Sequence, residues 1–315
     1  MSIKEQVLAE LAKHKSEPVS GALLAEKFHV SRTSIWKSIQ TLKKEGYGIE
    51  GQTKTGYTLV TIRDRLSDEA LKKYTYENDY HFCVFDQVTS TNDLAKIDAQ
   101  DGAPDWTVLL ANEQTKGRGR QGHQFYSPSD SGVYFSVILR PKMAGKDALL
   151  ITVSAAVAMA QAITSCTGRT PEIKWVNDLY LDGRKVCGIL TEASMDFETM
   201  SVNYIVLGIG VNIGMMHWDE LSVAMANLLD IQHVAGVIGT DHTGDFRSRL
   251  VAVFLNYFRP FYEDLGKKDF VPYYQKHAYL TGKEVDILQG ETVIGHGTVL
   301  GVDDECRLLV RYDDG

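Results

Sequence analysis

Ile3, Val7, Leu8 and Leu11 recur three and four residues apart, a helical spacing that predicts a helix at the start of the chain. Ser20 precedes a second short apolar stripe, Leu23, Leu24 and Phe28. After a break at Phe28-His29-Val30, Ser31 can cap a third helix whose inner face carries Ile35, Ile39 and Leu42. Residues 45–49 and 54–59 then read as the two strands of a hairpin. Two short helices joined by a tight turn and followed by a hairpin match a winged helix-turn-helix.

Beyond the polar stretch 61–69, which reads as a domain boundary, the pattern changes. Residues 80–86, 107–113 and 205–210 have strand character, and residues 90–99 begin like a helix. Val133, Phe135, Val137 and Leu139 alternate, which predicts a half-buried strand. Residues 148–168 carry no charge, long enough to raise the question of a membrane span. Thr152, Ser154, Gln161 and several alanines favour instead a buried helix ended by Gly168. Residues 247–262 carry a stripe of Leu250, Phe254, Phe258 and Phe261 and read as a packing helix. Short strands at 285–288, 292–300 and 308–312 predict a small SH3-like barrel. The expected fold is therefore a multidomain α+β chain of mixed α/β type. Its domains are a winged helix at 1–62, a central domain at 63–272 and a β domain at 273–315. The closing Asp313-Asp314-Gly315 is a turn signal without a returning strand, so the last domain is expected to continue by a few residues.

Charge sharpens the picture of the first domain. Residues 1–65 hold 11 Lys/Arg against 7 Asp/Glu, a surplus of four, while the whole chain carries −8 and the remainder therefore −12. A basic end on an acidic body points to a polyanion partner at the N-terminus. Arg32, Thr33, Ser34 and Lys37 on the third helix are the candidate groove contacts, and Lys54 at the hairpin tip is a candidate phosphate contact. The four cysteines lie far apart, which argues against a zinc site or a disulfide framework and fits a reducing cytosol. The first residues lack the apolar core of a signal peptide, and a cytoplasmic protein with no membrane partner is expected.

The chemistry concentrates in Glu113-Gln114-Thr115-Lys116-Gly117-Arg118-Gly119-Arg120-Gln121-Gly122. Its glycines spell G-x-G-x-x-G, but the dinucleotide reading fails. His123-Gln124-Phe125-Tyr126-Ser127-Pro128 cannot open a helix, and no acidic residue follows about 20 positions on. Instead two guanidinium groups alternate with glycines that let backbone approach a ligand closely, which suits phosphate or carboxylate oxygens.

With Glu113-Gln114 upstream, this loop resembles the E-Q-x-x-G-R-G-R signature of the biotin–protein ligases. Four further stretches fall in that family's order: Thr89-Ser90-Thr91-Asn92, Ile173-Lys174-Trp175-Val176-Asn177-Asp178, Gly183-Arg184-Lys185-Val186-Cys187-Gly188-Ile189-Leu190 and Gly208-Ile209-Gly210-Val211-Asn212. The likeness covers nearly the whole chain and is similar to the bifunctional bacterial ligases that also repress biotin biosynthesis. The resemblance implies a central class II synthetase-like domain and a two-step reaction. Biotin and ATP form biotinyl-5′-adenylate and pyrophosphate, and a lysine of a biotin carboxyl carrier domain then takes the biotinyl group. It implies Lys185, Arg118 and Arg120 as catalytic cations. Ser90, Thr91, Asn92, Gln114, Arg118, Gly119, Arg120, Lys185, Gly188 and Leu190 would bind biotin, and Arg118, Arg120, Phe125, Asn212 and Asp178 would bind ATP or its Mg²⁺. No residue ligating a resident metal is expected, and Trp175 reads as core. Operator DNA and a ligand-promoted homodimer are the further implied partners. The chain departs from the family at Phe125, where tryptophan is usual, at Val176, where proline is usual, and at His123, where arginine or a similar residue is usual. A ligase without operator binding, a biotin-sensing transcription factor without catalysis and a lipoate ligase are the competing readings. Lys185 with Arg118 and Arg120 argues against the second, and the G-R-G-R loop against the third.

Overall fold

A computed structural model describes residues 2–14, 17–44, 47–52, 55–61, 64, 66–129, 131–141, 148–195, 198, 201–213, 244–290 and 292–313. The chain forms two compact units, Met1–Arg65 with Asp241–Phe246, and Leu66–Thr240 with Arg247–Gly315.

In the first unit, α1 (Ile3–Lys13) starts with a capping box between Ser2 and Glu5. Ser20 caps α2 (Gly21–Lys27) through the Ala22 N–H, and Ser31 Oγ accepts the Ser34 N–H at the start of α3 (Arg32–Lys44). His29 turns between these two helices with φ 54°. Strands β1 (Gly48–Gln52) and β2 (Gly56–Thr61) pair antiparallel as the hairpin. Val7, Leu11, Leu24, Ile35, Ile39 and Leu42 meet in one core, so the predicted stripes face each other. Lys54 lies outside the described residues.

The second unit opens with α4 (Asp68–Tyr74), where the sequence read only a boundary. The signal was there in miniature: Ser67 caps the Ala70 N–H, and Asp68 and Glu69 sit at the positive end of the helix. A seven-stranded sheet follows. Its strands are β3 (His81–Val88), β4 (Thr107–Gln114), β5 (Gly132–Leu139), β6 (Glu172–Lys174), β7 (Asp178–Leu181), β8 (Arg184–Met195) and β9 (Val202–Asn212), in the order β3-β4-β5-β9-β8-β7-β6. Only β3 and β4 pair in parallel, joined by the crossover helix α5 (Thr91–Gln100).

Strand β5 is buried along its whole length rather than half-buried. Its alternation is real, but both faces are covered. Ile138 packs with Ala95 and Ala99 of α5, while Phe135 meets Phe254 of α7 (Phe246–Glu263) on the other side, ring centroids 5.5 Å apart. Helix α6 (Ala148–Thr167) lies on the α7 face, where Thr152 and Thr191 exchange a 2.7 Å hydroxyl contact. It is long and apolar enough to cross a membrane, yet 67% of its apolar window is buried in the protein. Gly168, φ 72°, ends it.

Helix α8 (Val271–Lys276) leads into β10 (Glu284–Gln289), β11 (Thr292–Val302) and β12 (Leu308–Tyr312), a three-stranded antiparallel sheet. It is tied to the larger sheet by the Trp175 Nε1–H, which donates to Cys306 O at 2.9 Å.

One ionic contact of the first unit gives a pH-dependent outcome. Glu10 is nearly buried and is faced by Lys27, Lys13 and His14, and the Lys27 hydrogen bond holds its carboxyl below the ordinary 4.5. A depressed carboxylate contributes stability above its unfolded value and loses it as pH falls through the folded one. The first unit is therefore expected to lose stability as pH falls below about 4.5, and Glu10→Gln to flatten that dependence, as read by thermal unfolding between pH 3 and 7.

Candidate functional site

A cavity of about 410 Å³ opens on the α5 face of the large sheet. It exists because strands β8 and β9 place glycines there. Gly188 pairs with Gly210, and Gly208 sits opposite Leu190. A Cβ on Gly210 would lie 2.4 Å from the Phe125 ring, and one on Gly208 would lie 1.9 Å from Asn92 Oδ1. Neighbouring groups thus rest directly on bare sheet backbone, with the remaining space open to a ligand.

Part of the cavity lining is a set of neutral polar side chains from the start of α5 and the end of β4. Ser90, 1% exposed, is the N-cap of α5 and accepts the Asp93 N–H. Gln114, the last residue of β4, accepts the Thr91 N–H at 2.8 Å, and its Nε2 donates to Ser127 Oγ at 2.9 Å. Asn92 is buried, with Oδ1 2.6 Å from the Ser136 hydroxyl and Nδ2 donating to Glu192 at 2.9 Å. These contacts fix the rotamers of a small set of donors and acceptors at a helix N-terminus, where the dipole adds positive potential.

Three cations, Arg118, Arg120 and Lys185, line the same cavity. The Gly117–Arg120 segment folds back as a tight loop, Gly119 N–H donating to His123 O at 2.7 Å and Phe125 N–H to Gly117 O at 2.9 Å. Arg120 Nη1 donates to Asn177 Oδ1 at 3.1 Å. Arg118 Nε lies 2.9 Å from Asp93 Oδ2, and Lys96 bridges Asp93 and Glu192 at 3.3 and 2.8 Å. Lys185 Nζ is 2.8 Å from Asp178 Oδ2, while Asp178 Oδ1 is buried with no hydrogen-bond partner among the described residues. Two neighbours are kept neutral by burial. It pushes the fully buried Cys187 thiol well above its ordinary range and the Tyr134 hydroxyl up to about 12. The cations of the lining are suited to holding anionic oxygens.

Ser90, Thr91, Asn92, Gln114, Arg118, Gly119, Arg120, Phe125, Asp178, Lys185, Gly188 and Leu190, scattered over a hundred positions, come together around this cavity. Asn212 does not line it. It follows Gly208 and Gly210 on the same side of β9, buried, with Oδ1 lacking a partner among the described residues. Trp175, read as core, is 39% exposed and forms part of the cavity wall. Its short β6–β7 hairpin leaves the ring one buried edge, held by Cys306 O, and one open one. His123, Gln124 and Asn177 line the cavity as well. Asn177, which the sequence placed in a family stretch without a role, is pinned by two hydrogen bonds with Ile189: its Nδ2 donates to Ile189 O at 2.8 Å and the Ile189 N–H to its carbonyl at 3.0 Å.

A second candidate face lies on α3. Arg32, Thr33 and Lys37 are exposed there and Ser34 is half-buried. The helix carries Arg32, Lys37, Lys43 and Lys44 and no acidic residue.

Comparison with known proteins adds three domain matches. Residues 84–212 match the biotin/lipoate A/B protein ligase family, 4–58 an HTH domain and 280–315 the biotin protein ligase C-terminal domain. The chain is 30% identical over its full length to the bifunctional ligase/repressor BirA of Bacillus spizizenii, covering 95% of it. With BirA of Escherichia coli it shares 27% identity over 93% of this chain and 88% of that one. Among solved structures, the biotin protein ligase of Aquifex aeolicus in complex with biotin and ATP matches in fold, with a TM-score of 0.57 at 22% identity over 75% of this chain and 93% of that one.

The close seat of Asn92 on β9 gives a test of the site's construction. Gly208→Ala, whose Cβ would fall 1.9 Å from Asn92 Oδ1, is expected to break the Ser136–Asn92–Glu192 chain. The expected loss is about 1–3 kcal/mol, the cost of leaving buried polar groups unpaired. Adding Asn92→Ala should then cost less than it does alone, as read in a double-mutant cycle by urea unfolding.

Proposed function

The chain belongs to the biotin–protein ligase family, among its bifunctional ligase/repressors, and on that premise we propose how its two units divide the work. The second unit joins biotin to a lysine of a biotin carboxyl carrier domain at the expense of ATP, acting in the cytoplasm. The observation that supports this reading is that one cavity is lined both by the neutral donors and acceptors Ser90, Thr91, Asn92 and Gln114 and by the cations Lys185, Arg118 and Arg120. A ureido ring needs the first and a carboxylate meeting a triphosphate needs the second.

In the first step a biotin carboxylate oxygen bonds to the α-phosphorus of ATP while the bond to the bridging oxygen breaks and pyrophosphate leaves. Ser90, Thr91, Asn92 and Gln114 orient the ureido ring, and Gly188 and Leu190 leave room for the bicycle. Lys185, Arg118, Arg120 and the Gly119 N–H stabilise the negative charge that gathers on the phosphate oxygens. Phe125, set against the glycine strip, supplies the apolar face for adenine. In the second step the acceptor amine bonds to the acyl carbon, loses its proton, and AMP departs with the former carboxylate oxygen. No protein nucleophile is required.

Asp178 in the cavity wall fits a nucleotide-bound Mg²⁺, since its Oδ1 is buried without a partner among the described residues and a hard cation takes oxygen ligands; Asn212, outside the lining, holds a second such oxygen. Bound there with the nucleotide, the cation would draw off phosphate charge.

The first unit binds operator DNA through α3, Arg32, Thr33, Ser34 and Lys37 facing the groove and Lys54 of the hairpin a phosphate. A homodimer, favoured by bound adenylate, matches an operator with two half-sites. Adenylate accumulates when acceptor protein is scarce, so its occupancy reports acceptor supply.

Lys185→Ala is expected to lower the rate of ATP–pyrophosphate exchange by about 10²–10³-fold, the typical cost of one transition-state charge stabiliser. Biotin affinity should change far less; a near-normal exchange rate would remove Lys185 from this role. For the repressor, DNA affinity and sedimentation are measured at fixed salt with and without biotin plus ATP. Coupling of about 1–3 kcal/mol is expected, a roughly 5–150-fold gain in affinity, and identical binding in both states would sink the sensor reading.

A further inference from the structure

Trp36 stands on the outer side of α3 with 52% of its surface exposed. The helix turns Ile35, Ile39 and Leu42 into the core, so its opposite side is settled, and Trp36 shares the outer side with Thr33 and Lys37. Among the described residues its ring has no aromatic or cationic partner and its indole N–H no acceptor. A lone exposed apolar side chain is ordinary on a protein surface. What sets this one apart is its place: a large apolar plate among Arg32, Lys37 and Lys43, on a helix with no acid, in a unit with a surplus of positive charge.

Resting on the reading of this unit as DNA-binding, we propose that Trp36 reads bases in the major groove, packing its indole on the C5-methyl group of a thymine. The flanking cations bring the helix to the phosphates, which carry no sequence information. Thr33 and Lys37 can contact base edges by hydrogen bonding, while the methyl that marks thymine is read by apolar surface, of which the indole is the largest exposed on this helix. The indole supplies that surface at a fixed height on a helix whose register is locked by its buried stripe. Charge complementarity favours DNA as the occupant of this face, since its phosphates pair Arg32 and Lys37, whereas an uncharged protein partner offers them no anion.

The test uses the full chain with biotin and ATP, and a duplex recovered by selection from a random-sequence library. Replacing each thymine of that duplex by uracil in turn removes one methyl group. For the unaltered protein at least one position should weaken binding by about fourfold, the equivalent of one buried methyl group. Trp36→Ala should weaken specific binding by about tenfold, within the range of one lost base contact, and become indifferent to uracil at that position. Its salt dependence should keep the original slope, because no phosphate contact is lost, whereas Arg32→Ala should reduce the slope by about one. Trp36→Phe should retain part of the methyl response, and thermal unfolding should show all three variants folded. The proposal is overturned if no thymine of the duplex responds to uracil, a result that needs no variant. It is overturned equally if Trp36→Ala keeps full affinity or the same uracil response. Recovery of no duplex by the unaltered protein would instead remove the DNA-binding reading itself, and this proposal with it.

Discussion

The bare backbone on two adjacent strands is the constraint from which the rest of the catalytic unit follows. A seven-stranded sheet with helices on both faces has no natural room for a ligand, because each inward side chain is matched by one from a helix. Gly188, Gly208 and Gly210 interrupt that matching on one face only. Asn92 settles on Gly208, Phe125 on Gly210, and the N-terminus of α5 is thereby held beside the open strip. The opposite face keeps its full complement, with Phe135, Ile189 and Ile209 buried on the α6 and α7 side. The same strand pair is thus a packed core on one side and a ligand floor on the other, with period two separating the roles.

This explains what was legible in the sequence. The glycines, the arginines between them and Lys185 are local signals: each occurs in a short stretch whose composition is unusual for a strand or a loop. The helix stripes of Val7–Leu11 and Ile35–Leu42 were legible for the same reason, since 3.6-residue periodicity is local. The supporting residues were not. Ser136 lies on a strand that reads as plain core, and it joins the site only because β5 runs beneath the start of α5. Glu192 and Asp93 are ordinary acids in sequence, and what they do depends on strand β8 passing near α5. Trp175 misled because a tryptophan between Lys174 and Val176 looks like an inward position, whereas a three-residue strand at the sheet edge leaves its ring partly open.

The two cationic faces use the same residue types in different ways. In the cavity each of the three lining cations already has a protein partner: Lys185 has Asp178, Arg118 has Asp93 and Arg120 has Asn177. An anion entering there exchanges one partner for another, so the gain is the difference between two short-range contacts and depends on geometry. That arrangement holds the charges in fixed positions, as the proposed reaction would require.

On α3 the balance is reversed. Among the described residues Arg32, Lys37 and Lys43 have no ion-pair partner, and the helix offers no acid of its own to supply one. Their partners in the free protein are solvent and salt ions, so a polyanion that neutralises them gains mainly from the counterions it releases. Such attraction is long-ranged and indifferent to sequence. It brings the helix to a duplex but cannot choose among duplexes, and the choice must fall to the uncharged groups of the same face. A helix with many unpaired cations therefore needs a neutral reading surface, just as a cavity with paired cations needs none beyond its shape. The same contrast implies different responses to salt: a partner exchange in the cavity would be local and short-ranged, while polyanion attraction to α3 would weaken steeply as salt rises.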